Sequence, residues 1–159
     1  MRFIGSALVA SAILAGACGG GSKAPAADNA APAAAAPAAA GTAAPITGTT
    51  HEVKMLGDEK GYRFEPKDIT IKAGDGINFI FITGGPHNVA FNPADIPADV
   101  KPQLDANMGD GKLAELSSKM MLNPNEFVIV SFANIKPGTY PFNCTPHLAM
   151  NMKGTVTVQ

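Results

Sequence analysis

The sequence predicts an all-β domain, an antiparallel Greek-key β-sandwich or barrel of about seven or eight short strands with one short helix. Three observations carry that expectation. Short runs alternate apolar and polar residues, Gly/Pro turns separate them, and they begin only near Ile46, where a stretch of Ala, Gly and Pro ends.

The elements follow in order. His51 stands at the start of the first strand and is expected in solvent. Asp68-Ile-Thr-Ile-Lys72 alternates, and Ala73-Gly-Asp-Gly76 marks a turn. Ile77, Phe79 and Phe81 share one face of the next strand, as do Val89 and Phe91 after the Gly84-Gly85-Pro86 break. Phe127 to Phe132 is a strongly apolar run, Lys136-Pro-Gly138 makes a turn, and Thr155-Val-Thr-Val158 closes the chain. Leu113, Leu116 and Met120 recur at helical spacing, so the short helix is expected over Lys112–Met121. Pro141 falls in the strand before Cys144 and points to an edge or an irregular ladder there. Met55, Met120 and Met121 are expected to fill the core or belong to the helix.

The N-terminal part is different material. Residues 1–18 read as an export signal: Arg2 gives the positive start, and Phe3 to Leu14 are apolar but too short for a stable span. Ala15-Gly16-Ala17-Cys18 fits a bacterial lipobox, which would make Cys18 the lipidated first residue. It also fits ordinary cleavage after Ala17. Residues 19–45 hold almost no large side chain, and Pro25, Pro32, Pro37 and Pro45 interrupt any alanine helix. This stretch is a linker, either a tether's spacer or a passive stalk, and residues 46–159 form the domain. Its size suffices for one core without staples.

The formal net charge is −1. No basic field argues for nucleic acid, and no acidic tail argues for a cationic partner. The chain has two cysteines, Cys18 and Cys144. The signal uses the first, so the domain cannot form an internal disulfide, and its lone thiol calls for an explanation such as metal ligation.

The chemistry sits in Cys144-Thr-Pro-His147-Leu-Ala-Met-Asn-Met152. Tyr140, Phe142 and Cys144 share parity, so the sulfur is expected to point inward with two aromatic rings. Pro146 ends the strand, and the loop brings an imidazole and a thioether near the thiol. His87, after the Gly-Gly-Pro turn, supplies the distant fourth ligand. Two imidazoles and a thiolate with a weak axial thioether make the ligand set of a blue-copper site. Zinc is the competing ion, but it rarely takes a thioether. Met150 and Met152 both lie in the loop, and spacing alone allows either to be axial.

Cys144-Thr-Pro-His147 with Met150-Asn-Met152 resembles the ligand loop of pseudoazurins, and its spacing is similar to that of plastocyanins. His51–Leu56, Phe64-Glu-Pro66, Gly74-Asp75, Pro86-His-Asn-Val89 and Gly138-Thr-Tyr140 extend the likeness over most of the domain. Phe91–Pro97 looks more like the plastocyanin side. The resemblance is to a cupredoxin of the plastocyanin/pseudoazurin type, and it implies a cupredoxin-like fold holding one type 1 copper ion. It puts the axial ligand at Met152, with Met150 on the surface around the metal. It also implies that Asn88 ties the two ligand-bearing segments together. Pro146 has no N–H to donate toward the thiolate, which is expected to raise the potential. The chain departs from plastocyanins at Asn143, where they carry a tyrosine, and this puts their remote electron route in doubt.

The expected function is electron transfer by an exported, lipid-tethered carrier of the periplasm or cell envelope. It is not an enzyme, because four ligands leave no open position. Partners would be redox proteins docking at an apolar rim of Gly85, Pro86, Leu148, Ala149 and Met150 around an edge-exposed His147, with only Lys153 bringing charge close. The membrane would be met only through the lipid anchor, and the domain would be a monomer. Copper storage or delivery is the alternative.

Overall fold

The computed structural model describes residues 42–159. The expected signal segment, Cys18 and nearly all of the expected linker lie outside the described residues. Among the described residues, eight strands form: β1 (Thr50–Asp58), β2 (Gly61–Glu65), β3 (Asp68–Ile71), β4 (Gly76–Phe81), β5 (Ala90–Phe91), β6 (Phe127–Ser131), β7 (Gly138–Asn143) and β8 (Lys153–Val158). They make two four-stranded sheets, ordered β2-β1-β4-β6 and β3-β8-β7-β5.

The alternation seen in the sequence becomes the core. Val53 and Met55 of β1, Ile77, Phe79 and Phe81 of β4, Tyr140 and Phe142 of β7, and Val156 and Val158 of β8 are all buried between the sheets. Phe142 lies edge-on to Phe64 at 4.7 Å and to Phe79 at 5.3 Å between ring centroids. Such pairs add about 0.5–1.5 kcal/mol each beyond area burial. Truncating Phe142 to alanine would therefore cost about 3–5 kcal/mol. In β6 the apolar run is an edge strand with apolar residues on both faces: Val128 and Val130 are buried, whereas Phe127 and Ile129 are exposed.

The strand pairing is not purely antiparallel. β1 runs parallel to β4, and β3 runs parallel to β8. After β2 the chain crosses to the other sheet for β3 and returns as β4, so it re-enters beside β1 from the same end. Parallel neighbours require a crossover of this kind. Pro141 pairs with Thr155 of β8 but lies one residue before Phe142, where the pairing of β7 with β5 begins. The missing N–H thus falls on a local edge, as the sequence suggested.

The helix is not where apolar spacing put it. α1 covers Lys101–Ala106, with a proline in its first turn and Leu104 buried. Over Lys112–Met121 the chain is irregular, because its apolar residues do not share a face. Leu113 is exposed, and Leu116 is fully buried with a left-handed backbone (φ 54°). This stretch instead follows the segment leading into β5, through bridges of His87 with Met121 and Ala90 with Ser117. Met55 and Met121 do fill the core.

At the other end of β4, a buried Asn107 joins distant segments. Its Oδ1 accepts from the Ala44 N–H at 2.8 Å, and its Nδ2 donates to the carbonyls of Ser131 (3.0 Å) and Ala133 (2.9 Å). Ala44, just ahead of Ile46, is buried as part of the same packing. His51 departs from the solvent-exposed expectation. It is partly buried, and its Nε2 lies 2.9 Å from Asp75 Oδ2.

Candidate metal centre

His87, Cys144 and His147 are buried together at one end of the sandwich, with ligand atoms all within 4.8 Å of one another. Cys144 continues the inward parity of β7 and is fully buried. His147 enters on a short 3-10 turn, Thr145–Met150, which Pro146 helps to open. His87 sits between β4 and β5, and its backbone is fixed by a reciprocal pair with Met121 (His87 N–H to Met121 O 3.0 Å, Met121 N–H to His87 O 2.8 Å).

The orientation of the rings is chemically specific. His87 Nε2 lies 2.9 Å from the Thr83 carbonyl, which can only accept, so Nε2 carries the proton. That leaves the Nδ1 lone pair facing Cys144 Sγ at 3.5 Å, and His147 Nδ1 faces the same sulfur at 3.4 Å. A first-row ion with bonds of about 2.0–2.3 Å to nitrogen and sulfur would set these donors about 3.6–3.8 Å apart. The donor set fits such an ion with little adjustment.

Burial sets the protonation. It pushes the Cys144 thiol up, opposed by backbone N–H groups of Asn88 and His147. It holds both imidazoles below the ordinary histidine range, and His87 adds to the effect on His147. The imidazoles are thus neutral, as ligands must be, while the thiol keeps its proton until a cation displaces it.

Met152 and Met150 separate clearly. Met152 is fully buried, and its backbone closes the loop: Cys144 N–H donates to Met152 O (3.1 Å) and Met152 N–H to His147 O (3.2 Å). Met150 is 48% exposed. Asn88 is buried, and its Oδ1 accepts from Thr145 N–H at 2.7 Å. Its Nδ2 donates to Thr145 Oγ1 (3.2 Å) and Ser117 Oγ (3.1 Å), so one amide joins the His87 segment, the ligand loop and the 117–121 stretch.

Two expectations need correction. His147 is not edge-exposed. It retains 4% of its surface, and the Tyr62 ring is stacked on it with centroids 3.8 Å apart and planes 16° from parallel. Nor is Lys153 the lone nearby charge, since the groove beside Leu148 also carries Lys67, Asp68 and Asp95. Tyr62, Thr83, Ser117 and Thr145 carried no signal in the spacing. Tyr62 and Ser117 meet the site across a long sequence separation, whereas Thr83 lies four residues before His87 and Thr145 next to Cys144.

A two-sheet sandwich closing a buried His-Cys-His donor set at one end is the architecture of a blue-copper cupredoxin. The chain belongs to the copper-binding plastocyanin/azurin family. Residues 51–159 match the family model described as "Copper binding proteins, plastocyanin/azurin family". A chloroplastic plastocyanin of Physcomitrium patens is 42% identical over 106 residues, covering 67% of this chain and 56% of that protein. The chain thus spans little more than half the length of that relative. The plastocyanin of Prochlorothrix hollandica is 36% identical over 116 residues, covering 73% of this chain and 78% of its own. A fern plastocyanin mutant, solved oxidised and reduced, is 36% identical with a TM-score of 0.51, covering 68% of this chain and 99% of its own. Copper is accordingly the metal of the site.

Proposed function

We propose that the chain carries single electrons through one type 1 copper ion cycling between Cu(I) and Cu(II), as a small exported carrier tethered through a lipid on Cys18. The convergence of His87 Nδ1, Cys144 Sγ and His147 Nδ1 in a buried site carries this reading. When bound, copper supplies the one-electron couple. The remaining work belongs to the chain. Cys144 offers a soft thiolate acceptable to both oxidation states, and the two neutral imidazoles suit both as well. The buried Met152 would offer its thioether as a weak fourth ligand.

Rigidity supports low reorganisation. Thr83 fixes the His87 ring, Asn88 locks the ligand loop to the His87 segment, and the β7 aromatic core holds the Cys144 backbone. Partners of this carrier are redox proteins that dock where Leu148 (44% exposed) and Met150 (48% exposed) flank His147. Weak electron-transfer encounters use small apolar surfaces of this kind. The mixed charge of Lys67, Asp68, Asp95 and Lys153 nearby gives no strong steering. The Ala15-Gly16-Ala17-Cys18 motif and the linker after it support the tether.

Adding Cu(II) to the purified protein tests the site. An intense thiolate-to-copper absorption, bleached by reductant and restored by oxidant, is the expected result. A colourless protein that takes up and surrenders copper without redox cycling would make it a storage or delivery protein instead. For the tether, labelled fatty acid should enter the wild-type chain and not Cys18→Ala.

A further inference from the structure

We propose that Tyr62 is a positioning residue for the metal centre, stacking on His147 to hold that imidazole in its ligating orientation before a metal arrives. The proposal rests on the copper-site reading above and deepens it.

The two histidines are held in different ways. The His87 ring is fixed by its Nε2 hydrogen bond to Thr83. Among the described residues, the His147 side chain has no comparable carbonyl partner, and its one polar contact is the Cys144 sulfur. Histidine ligands usually gain their orientation from such an outer hydrogen bond. His147 also lies at a kink in its turn (φ −112°, ψ 20°), so no regular helix fixes its direction. Its loop neighbours Leu148 and Met150 turn outward. What covers the ring is Tyr62, which reaches across from β2 in the other sheet.

The fold makes deliberate room for this ring. Gly57 is the cross-strand partner of Tyr62 in the β1–β2 ladder. A Cβ on Gly57 would lie 2.6 Å from Tyr62 Cε1 and 2.9 Å from Gly84 Cα. Gly84, at φ +75°, in turn packs so closely that its own Cβ would lie 2.3 Å from Gly57 Cα. Two glycines therefore leave the space beside Gly57 that the Tyr62 ring occupies. The same ring meets His87 edge-on at 6.3 Å, so both imidazoles share one aromatic wall.

The test compares Tyr62→Leu, Tyr62→Phe and Gly57→Ala. In the metal-free protein, the carbon-bound ring protons of His147 should be shifted upfield by the stacked phenol. That shift should vanish in Tyr62→Leu and persist in Tyr62→Phe. After loading with Cu(II), the rate of copper loss to excess chelator should rise about 2- to 12-fold in Tyr62→Leu, the equivalent of one aromatic pair, and stay near wild type in Tyr62→Phe. Gly57→Ala displaces the ring without removing it and should behave like Tyr62→Leu, so it carries the test if the leucine variant does not fold. Unchanged His147 ring shifts and an unchanged release rate in the folded variants would overturn the proposal. If the wild type instead binds Cu(II) without a thiolate-to-copper band, the copper reading fails, while the metal-free ring shifts still decide the role of Tyr62.

Discussion

The two ends of β4 are each stitched by one buried asparagine, and they are finished differently. Beyond Phe81, Asn88 joins the His87 segment to the ligand loop. Before Gly76, Asn107 joins the segment around Ala44 to the strand end at Ser131–Ala133. Near Asn107 the carboxylate of Asp75 meets His51 and the backbone N–H groups of Thr49 and Lys72, so donors match acceptors within the chain. Near Asn88 two imidazole lone pairs and a thiol face one another. The same device closes one end and leaves the other complete only with a cation. A binding site here is a fold terminus whose polar account is left open on purpose, not a region of looser structure.

The largest effect that would break this comparison is at Cys144. Cys144→Ser removes the soft ligand, and the visible band of the copper-loaded protein should disappear entirely while far-UV circular dichroism stays native. Next come the two amides. Asn107→Ala strands the carbonyls of Ser131 and Ala133 and the Ala44 N–H, and urea unfolding should show a loss of about 2–4 kcal/mol with the copper spectrum unchanged. Asn88→Ala should cost about 1–3 kcal/mol and also shift the copper band. If Asn107→Ala moved the band as much as Asn88→Ala, the two ends would not be independent.

The closed end should also show a pH signature. Asp75 is held down to about 2, first by His51 and then by the Lys72 and Thr49 N–H groups. A carboxylate lowered by folding stabilises above its unfolded pKa, about 3.9, and that stability drains as pH falls toward 2. Thermal melts from pH 5 down to 2.5 should therefore drop more steeply for the wild type than for Asp75→Asn.

The smallest effect is at Pro146, and electrostatics reverses the sign expected from the sequence. The sulfur already receives the Asn88 and His147 backbone groups. A further N–H would draw charge from the thiolate, weaken its donation to Cu(II) and favour Cu(I). Pro146→Ala should thus raise the potential, by up to about 60 mV for a differential of one hydrogen bond. A fall in cyclic voltammetry would restore the original expectation.

What the sequence made legible follows from range. Strand parity grouped Ile77, Phe79 and Phe81 on one face and placed Phe142 and Cys144 inside, because alternation is a local property. Cys144, His147 and Met152 share one loop, so their association is nearly written in their spacing. His87 was found by its turn and by resemblance. Tyr62 was not found, because its contact with His147 depends on how two sheets face each other and on the space left at Gly57 and Gly84, of which only Gly84 stood out, as part of a turn. The helix was misplaced for a related reason. Leu113, Leu116 and Met120 have helical spacing, but the neighbouring backbone at His87 and Ala90 offers Met121 and Ser117 strand-like partners. Local periodicity lost to a long-range ladder.

The closure of the ligand loop has a kinetic consequence. Asn143 and Lys153 are the last paired residues of the β7–β8 hairpin, and Cys144 N–H to Met152 O closes the turn beyond them. Once that hairpin zips, Cys144, His147 and Met152 are held near one another at the modest entropic cost of a short loop. Only the His87 segment must then be recruited from far along the chain. Loop-closure entropy therefore favours gathering the three hairpin residues before the remote imidazole, an order that a folding-kinetics comparison of variants in the hairpin and in the His87 segment would check.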